Sequence, residues 1–182
     1  MGENERRTEL IQIFIKVFSK YGLDRATTKK LAAEANLSEA GLYVYFKNKE
    51  ELLSKCVEEH LRKVSADINE LTQKCGTAPH AFAKAMFSYT KSMLHENRFI
   101  FQMLSHPVYS EMIKDMRKEI INVIKEQSEM LQKFNLSMDI SVAFALLYNS
   151  ALNNYILTQD EDGFLLQLKF LLQLLENEGL RA

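Results

Sequence analysis

The sequence predicts an all-α protein, and three observations carry that prediction. Apolar residues recur at spacings of three and four in one segment after another, and no period-two alternation survives beside that pattern. Gly and Pro are scarce, six and two in 182 residues, which leaves little material for a turn-rich β fold. The residues that stop and start helices fall between the periodic runs rather than inside them. About nine helices are expected. An N-terminal three-helix domain covers residues 1–53, a connector helix covers 48–75, and a C-terminal helical domain covers 54–182.

The first helix covers Glu9–Tyr21, with Leu10, Ile11, Phe14, Ile15, Phe18 and Tyr21 on one stripe and Gly22 placed to end it. A short helix follows, capped by Thr28 and carrying Leu31 and Ala35 on one face. Asn36 stands where the turn needs a left-handed residue, a conformation Asn tolerates. Ser38 caps a second short helix, Ser38–Tyr45, which turns Leu42 and Phe46 inward. Two short helices joined by so tight a turn form a helix-turn-helix, whose second helix fits the DNA major groove.

Asn48 and Glu51 then resemble a capping box opening the connector helix, which Cys75-Gly76 closes. Gly76-Thr77-Ala78-Pro79 is the clearest break in the chain. A helix over Pro79–Glu96 and a short one capped by Asn97 are expected before Pro107. Tyr109 to about Phe134 reads as a long helix with Met112, Met116, Ile120, Val123 and Met130 on its apolar side; Met138–Gln159 and Gly163–Glu178 are the last two.

At 47% apolar and 26% charged residues the chain suits an ordinary soluble domain, and a net charge of −1 excludes a polycation. The charge is uneven. Residues 1–55 hold ten Lys+Arg against eight Asp+Glu, while 56–182 hold thirteen against sixteen, which marks the helix-turn-helix end as the anion-facing one. Two cysteines, Cys56 and Cys75, give no disulfide framework and fit a reducing, cytoplasmic location. No signal-peptide pattern and no apolar run of membrane-spanning length is present, so no membrane partner is expected. Cys56 and His60 share a helix face, but two ligands do not close a metal site. No nucleophile elbow, phosphate-cradling Gly-rich loop or C-x-x-C motif occurs, so neither enzyme activity nor a cofactor is expected.

The first third of the chain resembles the DNA-binding domain of the tetracycline-repressor (TetR) family of bacterial regulators. The resemblance rests on Thr27-Thr28, Leu31-Ala32, Ala35-Asn36-Leu37-Ser38, Leu42-Tyr43-Val44-Tyr45-Phe46 and Lys49-Glu50-Glu51-Leu52-Leu53. Two departures stand out: Asn36 replaces the usual Gly of the turn, and Glu39-Ala40-Gly41 replaces a commoner basic-Gly-small order. The resemblance implies a DNA-binding regulator, and it implies phosphate contacts from Thr27, Thr28, Tyr43, Tyr45 and Lys49, with Lys47 beside them. The residues themselves place Ser38, Glu39, Gly41 and Tyr43 near the start of the recognition helix. There Glu39 can accept from a cytosine amine or turn away from the backbone. Gly41 weakens the helix by up to roughly 1 kcal/mol while allowing close approach.

The helix Phe164–Leu175 is apolar over about 260° of its circumference, far beyond the roughly 100° of a one-sided helix. It therefore needs burial on two sides, and a second copy of the chain is the expected cover. Phe164, Leu168, Leu171, Leu172 and Leu175, with the small Ala145 and Ala151 of the preceding helix, are the dimerisation candidates. The resemblance implies the same: its last two long helices make a four-helix bundle between subunits. The middle of the chain is rich in Met, Phe and Tyr, the composition of apolar pockets. Phe82, Met86, Tyr89, Met93 and Phe101 are candidates to line one, with Tyr109, Met112, Phe144, Tyr148 and Asn149. The resemblance implies that such a pocket holds a small apolar or amphipathic inducer. The expectation is a homodimeric regulator that binds a near-palindromic double-stranded operator and that ligand releases. The rival expectation, resting on Glu39 and Gly41, is an interaction module of the same fold that no longer reads DNA.

Overall fold

The structure is a computed structural model that describes residues 3–76, 78–114, 121–122, 125–126, 128–129, 131–134 and 136–179. Among these residues it is all-helical, with α1 Glu3–Tyr21, α2 Thr28–Glu34, α3 Glu39–Tyr45, α4 Lys49–Cys75, α5 Pro79–Ser105, α6 Tyr109–Lys114, α7 Met138–Thr158 and α8 Glu161–Gly179. One 3-10 turn, Gln132–Phe134, precedes α7.

The contacts divide the chain into two compact units, residues 1–62 with 94–117 and residues 63–93 with 118–182. The division passes through α4 and α5, each of which contributes residues to both units.

In the first unit the predicted stripe of α1 is the core. Leu10, Phe14 and Phe18 are wholly buried, together with Leu31 of α2, Leu42 of α3, Leu52 and Leu53 of α4, and Phe99 and Met103 of α5. Phe14 meets Phe46 edge-on at 5.9 Å, and Phe18 stacks on Phe99 at 5.4 Å. Aromatic pairs in these arrangements add to the burial that places them. The short α2 and α3 are too brief to hold themselves, so this core is what fixes them.

In the second unit α7 and α8 form a helical hairpin. Gln159 closes α7 in the left-handed conformation at φ 60°, its N–H donating to the Tyr155 carbonyl at 2.7 Å. Asp160 Oδ1 accepts from the Gly163 N–H at 2.9 Å and so caps α8. Tyr155 then packs on Phe164 across the hairpin at 5.4 Å.

Three expectations change. α1 begins at Glu3, six residues before the expected start at Glu9. α5 runs unbroken from Pro79 to Ser105, because the Asn97 side chain meets His60 Nε2 at 2.9 Å instead of capping a new helix. The N-cap of α2 is Thr27, whose Oγ1 accepts from the Lys30 N–H at 3.3 Å, and Thr28 is the first helical residue. Of the long helix expected from Tyr109 to about Phe134, the described residues form α6, helical residues at 121–122, 125–126, 128–129 and 131, and the 3-10 turn. Met116, Ile120, Val123 and Met130 lie outside the described residues.

Candidate nucleic-acid interface

The turn between α2 and α3 is built as the sequence suggests. Asn36 takes φ 55°. Its N–H returns to the Ala33 carbonyl at 3.1 Å and that of Leu37 to the Ala32 carbonyl at 2.8 Å. This paired return is the Schellman closure, which satisfies the last carbonyls of α2 and turns the chain within two residues. Ser38 then caps α3, accepting from the Gly41 N–H at 3.0 Å.

The candidate residues separate into three groups. Thr27, Ser38, Glu39, Tyr43 and Lys47 are exposed. Thr28 is half-buried, and its hydroxyl donates to Glu39 Oε2 at 3.0 Å, tying the first turn of α2 to the start of α3. Tyr45 is half-buried. Gly41 and Lys49 do different work from that expected. A Cβ on Gly41 would meet Ser38 Oγ at 3.3 Å and Leu37 Cβ at 3.7 Å, so its bare side faces the helix cap rather than an approaching duplex. Lys49 Nζ donates to the Leu23 carbonyl at 3.0 Å and lies 5.9 Å from the Tyr109 ring. Burial holds its pKa below the ordinary lysine value, with Asp24 and Glu50 opposing. In this arrangement its charge anchors the α1–α2 loop.

Two residues that sequence reasoning passed over join the outward face. Ala40 is exposed, and Val44 is 73% exposed. The signal was available: Leu42 and Phe46 point inward, so the opposite positions of a seven-residue helix must point outward. The two arginines in the first turns of α1 are engaged within the domain. Arg7 pairs with Glu51 at 2.6 Å and lies 5.1 Å from the Phe46 ring; Arg6 pairs with Glu9 at 2.6 Å.

The second unit holds a small apolar cavity of about 20 Å³, lined by Ile68, Phe82, Met86, Leu131, Phe144, Ala145 and Tyr148. That is room for about one water molecule. Four of the ligand candidates, Phe82, Met86, Phe144 and Tyr148, meet there, as does Ala145 from the dimerisation set. The Tyr148 hydroxyl pairs with Thr90 Oγ1 at 2.9 Å, and burial pushes its pKa up to about 12. The others serve elsewhere. Tyr89 donates to Asp67 at 3.1 Å, Met93 Sδ accepts from Lys63 Nζ at 3.6 Å, and Asn149 donates to the Ala145 carbonyl at 2.7 Å. Phe101, Tyr109 and Met112 belong to the first unit.

The dimerisation candidates face inward. Ala145, Ala151, Phe164, Leu168, Leu171 and Leu172 are all buried within one chain, and the Leu175 side chain lies outside the described residues. The side chains left open are different ones: Leu146 and Leu147, 54% and 52% exposed, and Leu157 on α7, with Leu166, Phe170 and Leu174 on α8. The hairpin has two apolar sides, as expected, and spends the denser one on its own core.

Residues 15–56, which span the second half of α1 through the start of α4, match the family model described as bacterial regulatory proteins, tetR family. The helix-turn-helix unit belongs to the tetR family. It is thus a DNA-binding unit of the kind found in transcriptional regulators. The nicotine-responsive transcriptional repressor HdnoR of Paenarthrobacter nicotinovorans is 24% identical over 148 residues, covering 73% of this chain and 76% of that protein. The fatty acid degradation regulator FadR from Bacillus halodurans superposes with a TM-score of 0.71 at 15% identity, over 94% of each chain. FadR from Bacillus subtilis, in complex with stearoyl-CoA, gives 0.64 at 17% identity over 93% of this chain and 97% of that one. These likenesses show that the tetR-family fold extends through the C-terminal helices. Among the described residues no helix of this chain is long and apolar enough to cross a membrane.

Proposed function

We propose that the protein is a homodimeric repressor that binds a near-palindromic operator through α3 of each subunit and lets go when a small apolar or amphipathic ligand fills the second unit. The observation that carries the reading is the outward face of α3, set beyond a left-handed turn at Asn36 and bordered by Thr27, Thr28 and Lys47. Phosphate donors at the border position a duplex, and side chains on the helix face read base edges. A two-fold dimer matches a two-fold operator, with half-sites about one helical turn apart.

The open leucines and Phe170 of the α7–α8 hairpin support the dimer, because so much exposed apolar surface on adjacent helices marks an interaction site. The cavity supports ligand release. It is lined from α4, α5 and α7, so a ligand larger than a water molecule must part these helices. α4 contributes Lys49, which holds the α1–α2 loop, to one unit and Ile68, in the cavity wall, to the other. A ligand that displaces Ile68 therefore acts on a helix that also serves the DNA-binding unit. It lowers DNA affinity to the extent that it binds better to a conformation with the wrong half-site spacing.

The test is DNA binding by the full-length protein to the sequence upstream of its own coding region, measured across a salt series, with and without stearoyl-CoA. The reading expects tight binding that weakens steeply with salt, and release by the apolar ligand or by another of its class. Binding that is absent, or indifferent to salt, at every sequence tried rules it out.

A further inference from the structure

We infer, resting on the DNA-binding reading above, that the half-site is specified chiefly by thymine, whose 5-methyl groups pack against Ala40 and Val44. The outward face of α3 is a short list. At about 100° per residue, Glu39, Tyr43, Ala40 and Val44 follow one another across roughly 140° of the helix, opposite the buried Leu42. From Leu37 to Phe46 the chain has no Arg, Lys, Asn or Gln. The side chains that read guanine or adenine by paired hydrogen bonds are therefore missing from the helix that enters the groove.

What remains is apolar at its centre. Val44 is 73% exposed in the free protein and Ala40 is exposed beside it. The major-groove edge presents one apolar group, the thymine methyl; the other groups there are hydrogen-bond donors and acceptors. Burying Val44 against those would strip their water and return nothing, whereas burying it against a methyl removes apolar surface from both partners. Glu39, at the edge of the face, does not read guanine either. Its carboxylate is held by Thr28 at 3.0 Å, and as an acceptor it opposes the acceptor pair of guanine. The small Ala40 lets α3 lie deep enough for these contacts.

The test uses a duplex selected from a random-sequence pool by the full-length protein, at salt high enough to remove non-specific binding. Each thymine of a half-site is replaced singly by deoxyuridine, which lacks only the methyl. Each guanine is replaced by 7-deazaguanine, which lacks the N7 acceptor. Deoxyuridine at one or two positions per half-site is expected to weaken binding about fourfold each, the effect of one buried methyl. No 7-deazaguanine substitution is expected to exceed about twofold, well short of a lost bidentate contact. Val44→Ser is expected to abolish the deoxyuridine effect at one position while leaving the salt dependence unchanged, since it touches no phosphate. Salt-dependent, sequence-selective binding that ignores every deoxyuridine, or that responds more to 7-deazaguanine, overturns the thymine inference and leaves the DNA-binding reading intact. Failure to enrich any duplex that binds with salt dependence overturns the DNA-binding reading itself.

Discussion

Glu51 shows how single side chains keep the DNA-binding unit in register. Its carboxylate accepts from the Lys47 N–H at 2.7 Å and pairs with Arg7 at 2.6 Å, while its own N–H donates to Asn48 Oδ1 at 2.8 Å. One residue thus ties the start of α4 to the end of the recognition segment and to α1. The Lys47 N–H, and after it Arg7, hold the Glu51 carboxyl below the ordinary glutamate pKa. A carboxylate depressed in the fold contributes stability that is fully present above its unfolded pKa and is lost as pH falls through the folded one. Thermal melting should therefore fall between about pH 5 and pH 3. Glu51→Gln should be less stable by about 1 kcal/mol at pH 7, since the pair is partly solvated, and should show a shallower acid limb. An unchanged acid limb in the variant would assign that loss to other carboxylates, such as Glu59 against Arg62. The Asn48–Glu51 pair was legible in the sequence because capping is a matter of spacing along one helix. Lys49 was not, because its partner is the Leu23 carbonyl, 26 residues away, and no spacing rule reaches that far.

At the scale of elements, the turn into α8 gives a sharper test. Asp160 caps the helix through the Gly163 N–H, and a Cβ at Gly163 would come within 2.2 Å of Asp160 Oδ2. Asp160→Ala should lower stability by about 1 kcal/mol through loss of the cap. Gly163→Ala should be close to neutral in the natural background, because the gain of up to about 1 kcal/mol in helix propensity is offset by pushing the capping carboxylate aside. In the Asp160→Ala background the same change should stabilise, since there is no cap left to lose. Melting of the four proteins checks this, and strict additivity would mean that Gly163 and Asp160 do not compete. Element boundaries divide along the same physical line as the residues. The helix-turn-helix, α4 and the α7–α8 hairpin were readable because caps, a left-handed Asn36 and apolar periodicity are local. The continuity of α5 through Asn97 was not, because a long-range partner, His60, took the side chain that local rules assign to a cap. Ala40 and Val44 were readable in principle as the positions opposite Leu42, yet small and apolar side chains carry no polar signature to draw notice.

For the whole molecule, the apolar arc of α8 was legible but the division of its residues between a buried and an open side was not. Periodicity tells how much of a helix must be covered, and only packing tells which side its own chain covers. Here the chain takes Phe164, Leu168, Leu171 and Leu172, leaving Leu166, Phe170 and Leu174 beside Leu146 and Leu147 of α7. Substituting the inward set would collapse the hairpin and say nothing about assembly. The outward set separates the two: Leu146 and Phe170 are 54% and 60% exposed in the single chain, so charged replacements there leave the core untouched. The double variant Leu146→Glu, Phe170→Glu should keep its helical content and melting cooperativity. It should shift in sedimentation from twice 21.1 kDa to 21.1 kDa. Operator affinity should drop by at least about 100-fold, because a lone reading head loses the effective concentration that its twin supplies, while the contacts of one half-site are unaltered. If the variant is monomeric and still binds the full operator as tightly as the natural protein, the two-headed reading fails. If it remains a dimer, the subunits meet elsewhere on the surface.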